Sequence, residues 1–153
     1  MKLELQGKVA LVTGGSRGIG AAICRGLAAE GVRVGVNYAN SPDKAGAVVT
    51  GIARDFGVDT IALRVDLAKS DEVVALFDAL EARFGRVDIL VNNAAHCPGG
   101  PLDAYSVEEW ENTFRVNVTG AFVACREHVR RLRSAGRTGK IVNLVSQAAF
   151  LGS

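Results

Sequence analysis

Five short runs of this chain are apolar on both of their faces. Val9 to Thr13, Val32 to Asn37, Thr60 to Asp66, Val87 to Asn92 and Ile141 to Ser146 are rich in Val, Ile and Leu and mostly continuous instead of alternating. A strand with one wet face alternates apolar and polar side chains. A strand covered on both faces has no reason to, and such strands belong to parallel sheets. Between the runs lie stretches with helical spacing: Ile23 and Leu27; Ala45, Val48, Val49, Ile52 and Phe56; Val73, Phe77, Leu80 and Phe84; Val118, Phe122, Cys125, Val129 and Leu132. Each places one apolar stripe on one helix face. Strand and helix in alternation predict an α/β fold, a three-layer doubly wound parallel sheet of five strands joined by right-handed crossovers.

The punctuation agrees with these periods. Ser41 before Pro42 reads as an N-cap ahead of an N1 proline, Ser70 precedes Asp71 and Glu72 as another cap, and Ser106 with Glu109 makes a capping box. Gly31, Gly57, Gly85 and Gly136 follow the helices, where a left-handed residue is wanted.

Composition bounds the function. A chain of 153 residues, 48% hydrophobic and 22% charged, can build such a core as one domain spanning residues 1–153, and disorder is excluded. Eighteen Lys and Arg against sixteen Asp and Glu leave +2, too small a surplus to draw the whole molecule onto nucleic acid or an anionic membrane. Any phosphate binding must therefore be local. Arg126, Arg130, Arg131, Arg133 and Arg137 crowd one helix end, but the helix dipole favours cations there and no interleaved aromatics offer stacking, so no nucleic-acid partner is expected. His128 is expected on that helix surface without a role. Cys24, Cys97 and Cys125 are odd in number and far apart, which argues against a disulfide framework or a zinc site and for a reducing cytoplasm. No apolar run approaches the ~18 residues that span a bilayer, and no signal-peptide core is expected.

The chemistry begins where the first run ends. Thr13-Gly14-Gly15-Ser16-Arg17-Gly18-Ile19-Gly20 leads directly into a helix of small residues. Glycine there allows a tight strand-to-helix turn, backbone close enough to touch a pyrophosphate, and a helix start packed against the sheet. The helix N-terminus adds free N–H groups and partial positive charge. The spacing is not the G-x-x-x-x-G-K-[ST] of a phosphate-loop NTPase.

With these motifs the sequence resembles the short-chain dehydrogenase/reductase family, and within it the 3-oxoacyl-acyl-carrier-protein reductases. Thr13, Gly14, Gly18 and Gly20 match the family's TGxxxGxG signature. Asn92-Asn93-Ala94-Ala95 looks like its NNAG, with Ala95 in place of the glycine. Val65-Asp66-Leu67, Arg115-Val116-Asn117-Val118 and Asn143-Leu144-Val145-Ser146 follow in order, over essentially the whole chain. The resemblance implies a Rossmann fold. It implies nucleotide contacts from Gly14, Ser16, Arg17, Gly18, Ile19 and Gly20, from Asn37, from Asp66 and Leu67, and from Asn92 and Ala94. Asn117 and Ser146 are the implied catalytic residues; no metal is implied. His96 and Cys97, just past the fourth run, are expected to line the site without catalysing.

NADP(H) is expected over NAD(H). An acidic side chain near the end of the second strand would bind a ribose 2′-hydroxyl and repel a 2′-phosphate, but that run ends Val36-Asn37-Tyr38 with no carboxylate until Asp43. Arg17 offers a guanidinium fork suited to phosphate. The family's Tyr-x-x-x-Lys is missing, since Tyr38 is followed four places on by Pro42 and Tyr105 by Glu109. In the family it lies a short way beyond the serine. The expectation is an N-terminal portion of a reductase, lacking the C-terminal strands and helices, able to form most of the nucleotide site and catalytically incomplete. Ile141 to Val145 would then be an uncovered edge strand. Reduction of a small-molecule carbonyl is the leading reading, with a homo-oligomer for the full-length form. A non-catalytic NADP(H)-binding module is the alternative, and an S-adenosylmethionine methyltransferase would want an acidic residue where Asn37 stands.

Overall fold

The computed structural model describes residues 3–147; the expected domain's outermost residues, 1–2 and 148–153, lie outside the described residues. Strands β1 (Val9–Val12), β2 (Arg33–Tyr38), β3 (Thr60–Arg64), β4 (Ile89–Asn92) and β5 (Lys140–Asn143) form one parallel sheet in the order β3-β2-β1-β4-β5. Each overlaps the apolar run that predicted it. The ends differ by a few residues, most at β5, which stops at Asn143 short of Ser146.

Side chains in β1 alternate between two cores even though every residue is apolar. Val9 and Leu11 pack with Val73, Leu76, Phe77 and Leu80 of helix α3 (Ser70–Phe84) and with Val123 and Ala124 of helix α5 (Ala121–Ser134). Ala10 and Val12 pack with Cys24 and Ala28 of helix α1 (Gly18–Ala29) and with Ala45 and Ile52 of helix α2 (Pro42–Phe56). Helices α1 and α2 thus cover one face while the chain walks from β1 out to β3. Helices α3 and α5 cover the other as it returns beside β1 and continues to β5, as right-handed crossovers in opposite directions require. The walk reverses between β1 and β4, and their carboxyl ends part there to leave a crevice.

Three of the four glycines expected after helices, Gly31, Gly57 and Gly136, have φ between 62° and 77°, and Gly57 caps α2 in the left-handed conformation. Ser41 and Ser106 occupy the expected N-cap positions, and the Ser106 hydroxyl accepts from the Glu109 N–H at 3.1 Å. Ser70 is the first helical residue instead of a cap; Lys69 precedes it, and Glu72 turns back to accept from the Asp66 N–H at 3.0 Å.

Helix α4 (Val107–Phe114) runs into α5 through a π-helical turn, Arg115–Gly120, with right-handed helical backbone at both of its flanks. That turn rotates α5 about its own axis. Of the expected stripe, Leu132 is buried and Cys125 partly so, whereas Val118, Phe122 and Val129 are exposed. The inward face is Val123, Ala124, Glu127, His128 and Leu132. His128, expected on the surface, is 1% exposed. Its ring centroid lies 6.3 Å from that of Phe77, and its Nε2 lies 3.0 Å from where a side chain on Gly139 would begin. Three arginines of the basic cluster are held in ion pairs: Arg131 with Asp78 and Glu81, Arg130 with Glu127, and Arg137 with Asp88. All four residues of β5 are exposed, as the sequence led one to expect of an edge strand. Among the described residues no helix is long and apolar enough to cross a membrane.

Burial pushes the His128 imidazole below its ordinary pKa, against smaller opposing effects of the Lys140 backbone and the Asp88 and Glu81 carboxylates. The fold therefore holds the ring neutral, while the unfolded chain takes up a proton near about 6.5. This contribution is complete above that pH and is lost as pH falls below it. Thermal unfolding followed by circular dichroism should show the midpoint dropping below about pH 6.5, and His128→Gln should flatten that part of the curve.

Candidate functional site

Where β1 ends, Thr13 is buried and joins the backbone of two strands through one residue. Its N–H donates to Val91 O at 3.0 Å, and its Oγ1 accepts from the N–H groups of Asn93 (3.0 Å) and Ala94 (3.1 Å) just past β4. Asn93 answers with its side chain: Nδ2 donates to Thr13 O at 2.9 Å and Gly14 O at 3.0 Å. The glycine turn is thereby clamped to the end of β4.

The glycines have different reasons. Gly14 has φ 62°, and a Cβ there would stand 2.8 Å from Ala94 Cα. A Cβ on Gly20 would meet the Gly14 carbonyl and, at 2.5 Å, Asn93 Nδ2. Gly18 has φ 52° and nothing within 4 Å, so its missing side chain leaves open space on the outer side of the turn. Gly15 rests on Cys24, whose thiol burial pushes up to about 12, so it packs as a neutral small side chain. Among the described residues no side chain caps α1, and the first ladder bond there is Ala21 N–H to Arg17 O. Gly18, Ile19 and Gly20 consequently present N–H groups with no intrahelical acceptor at the positive end of the helix dipole.

A cleft of about 650 Å³ opens over this turn at the carboxyl ends of β1 to β4. Of the residues assigned to nucleotide contact, Gly14, Ser16, Arg17, Gly18, Ile19, Gly20, Asn37, Asp66, Leu67 and Ala94 all line it. Asn92 is not among its lining residues. Its Nδ2 donates to Asn143 Oδ1 at 2.8 Å and to Cys125 Sγ at 3.2 Å, on the α5 side of the sheet, and Asn93 takes the place at the cleft. Alternation explains this: Leu90 faces α3 and α5, so Asn92, two residues on, faces the same way. Tyr38, Ala39, Asn40 and Ser41 also line the cleft, as do Ala95 and His96.

Asn37 reaches the cleft edge but is 2% exposed and its amide is committed. Oδ1 accepts from the Gly14 N–H at 3.2 Å, while Nδ2 donates to Leu63 O (3.4 Å) and Val65 O (3.1 Å). It is a tie between turn and β3. Asp66 Oδ1 accepts from the Ala68 N–H at 3.0 Å. The Lys69 ammonium, and after it the Asp66 N–H, hold the neighbouring Glu72 carboxyl below the usual range. Among the described residues lining the cleft, Asp66 is the one carboxylate and Arg17 the one guanidinium.

Asn117 sits inside the π turn, a helix defect common at functional positions. Its Nδ2 donates to His96 O at 2.8 Å and its Oδ1 accepts from the His96 N–H at 2.7 Å. It thus acts on the cleft through the loop that carries His96. The π turn is seated by Gly120, where a Cβ would stand 2.6 Å from Leu67 O. Ser146 is exposed on the segment after β5 and is not part of the cleft lining.

A family model described as short chain dehydrogenase matches residues 8–153. The chain belongs to the short-chain dehydrogenase family. It is 43% identical over 145 residues to elsinochrome reductase 1 of Elsinoe fawcettii, covering 95% of this chain and 54% of that protein. It is 40% identical over 149 residues to a 3-oxoacyl-[acyl-carrier-protein] reductase of Synechocystis, covering 97% and 60%. A solved short chain dehydrogenase from Burkholderia cenocepacia in complex with NADP superposes with a TM-score of 0.88 at 40% identity, covering 97% of this chain and 60% of that one. This short-chain dehydrogenase chain thus spans somewhat over half the length of these relatives.

Asn37→Asp, the change that would supply a ribose-binding carboxylate in other dinucleotide folds, should fail here. It sets two buried carbonyls against an acceptor and should cost about 1–3 kcal/mol in urea unfolding without improving NADH binding. Gly14→Ala should cost about 1–3 kcal/mol from its backbone alone and more from the Ala94 contact, whereas Gly18→Ala should cost only the backbone share.

Proposed function

We propose that this chain forms the nucleotide-holding part of an NADP(H)-dependent oxidoreductase that moves a hydride between nicotinamide and a ketone or secondary alcohol. The observation carrying this reading is the open turn at Gly18. Three N–H groups without intrahelical acceptors stand there beside Arg17, and the end of β2 carries no carboxylate. A pyrophosphate needs those N–H groups and a 2′-phosphate favours the guanidinium. The NADP found in the Burkholderia relative, and the reductase names of the curated relatives, support the same choice.

In this reading the N–H groups of Gly18, Ile19 and Gly20 hold the pyrophosphate, with Gly14 and Ser16 shaping the turn. Ile19, 68% exposed in an otherwise polar turn, offers an apolar surface to a flat ring. Asp66 and Leu67 border the adenine with Ala94. When bound, the nicotinamide supplies or takes the hydride. Asn117 fixes the His96 backbone at the cleft wall, and Ser146 would hydrogen-bond the substrate oxygen as it gains charge. The proton donor would come from a Tyr-x-x-x-Lys that the 153 residues do not contain, since Tyr38 and Tyr105 each lack a lysine four places on. The second reading is a module that binds NADP(H) without chemistry. The remaining assignments rest on the same ground. A reducing cytoplasm is supported by three free cysteines far apart in the chain, and the exposed Val118, Phe122 and Val129 suit contact with a second copy.

Fluorescence titration should show NADPH binding more tightly than NADH. Arg17→Ser should weaken NADPH about tenfold while leaving NADH unchanged. Ketone reduction should be absent from the 153-residue chain and appear when a C-terminal extension bearing Tyr-x-x-x-Lys is joined to it; a longer protein that binds NADPH and reduces nothing would establish the binding module.

A further inference from the structure

We propose that Arg64 sets the nucleotide preference of the cleft by holding the segment Ala39–Ser41 from the neighbouring strand. This role rests on the NADP(H) reading. Selection between ribose forms happens near the end of β2. Asn37 cannot perform it, because its amide is spent on Gly14, Leu63 and Val65. The next cleft-lining residues are Tyr38, Ala39, Asn40 and Ser41.

The β2–β3 pairing ends at Tyr38 opposite Arg64, and the Val65 N–H to Tyr38 O bond (2.9 Å) closes the backbone ladder. The chain then bends at Ala39 and Asn40. At that bend the Arg64 Nε–H donates to Ala39 O at 3.2 Å, so a side chain carries the hydrogen-bonding one residue beyond the strands. The positive charge of Arg64 also reaches Glu72 in the first turn of α3, a carboxylate tied to Lys69 and the Asp66 N–H. The arginine therefore ties the bend after β2 to the end of β3.

Ser41 is the N-cap of α2, and among the described residues its side chain makes no cap bond. A 2′-phosphate would meet Asn40 and Ser41 on this wall and Arg17 from the glycine turn. A nucleotide without that phosphate would lack this contact with the segment. Arg64 is thus a positioning residue, and its removal should be felt by one class of nucleotide only.

Isothermal titration of the chain with adenosine 2′,5′-bisphosphate and with adenosine 5′-monophosphate tests this. Arg64→Ala should weaken the bisphosphate about fivefold and leave the monophosphate unchanged. Arg64→Gln, which keeps an N–H able to reach Ala39 O but carries no charge, should recover most of the loss. Equal weakening of both ligands, no weakening of either, or a glutamine variant no better than alanine would overturn the proposal. Failure of the NADP(H) reading itself would be visible earlier, as a lack of bisphosphate preference in the unmodified chain.

Discussion

The fastening of β1 to β4 beyond their last paired residues is what the site depends on. A parallel sheet whose crossovers reverse direction leaves its two central strands diverging at their carboxyl ends, and nothing in the strand ladder closes that gap. Here Thr13 and Asn93 close the inner part of it with four hydrogen bonds between 2.9 and 3.1 Å. These bonds fall in a part-buried region, where a polar group deprived of its partner costs about 1–3 kcal/mol. The same contact dictates composition: a Cβ on Gly14 would meet the Ala94 backbone, and one on Gly20 the Gly14 carbonyl and the Asn93 side chain. Gly18, facing away from that clamp, has empty space instead. A single device packs one side of the turn and bares the other.

The order of the elements was legible from apolar periodicity because burial on both faces leaves a run with no other use. The strand β1 shows why this works: four consecutive apolar residues feed two separate cores by turns. Periodicity failed on α5. There the buried positions include Glu127 and His128, while Phe122 and Val129 are exposed. A stripe drawn through the apolar residues lands beside the face that packs. A π turn adds a residue to one helical turn and so rotates everything after it, and no local propensity in Arg115–Gly120 announces it.

The glycine turn was equally legible, since its residue types admit few conformations. Asparagines were harder. Asn37, Asn92, Asn93 and Asn117 each carry the same amide, and the family resemblance assigns three of them to ligand or catalytic roles. In the structure Asn37 ties the turn to β3, Asn92 bonds across to Asn143 under α5, Asn93 clamps the turn, and Asn117 grips the His96 backbone. An amide that both donates and accepts suits backbone repair wherever a ladder stops. Strand alternation, applied to β4 from Leu90 onward, separates Asn92 from Asn93. It could have been used on the sequence, whereas the commitments of Asn37 needed the register of β2 against β3.

The polar groups at the two ends of the strands are engaged differently. At the amino end of β4 the ionisable groups are consumed: Asp88 accepts from the Val9 N–H and from Arg137, and Glu81 meets Arg86 and Arg131. Ion pairs of this kind, enclosed on the acidic side and partly open on the arginine side, give little net stability, but they hold helices and strands in register. At the carboxyl end Glu72 is likewise paired with Lys69, but other donors are left open. The N–H groups at the start of α1 have no acceptor within their own helix, and Arg17 stands in a wall whose one carboxylate, among the described residues, is Asp66. Asp43, Asp71, Glu72, Glu108 and Glu109 stand at this end too, but in the first turns of α2, α3 and α4, where they meet helix N-termini of their own. The arginines beneath α5 are taken up by Asp78, Glu81, Asp88 and Glu127, whereas Arg17, the one guanidinium among the described residues lining the cleft, stands at the start of a helix whose first N–H groups it leaves uncapped.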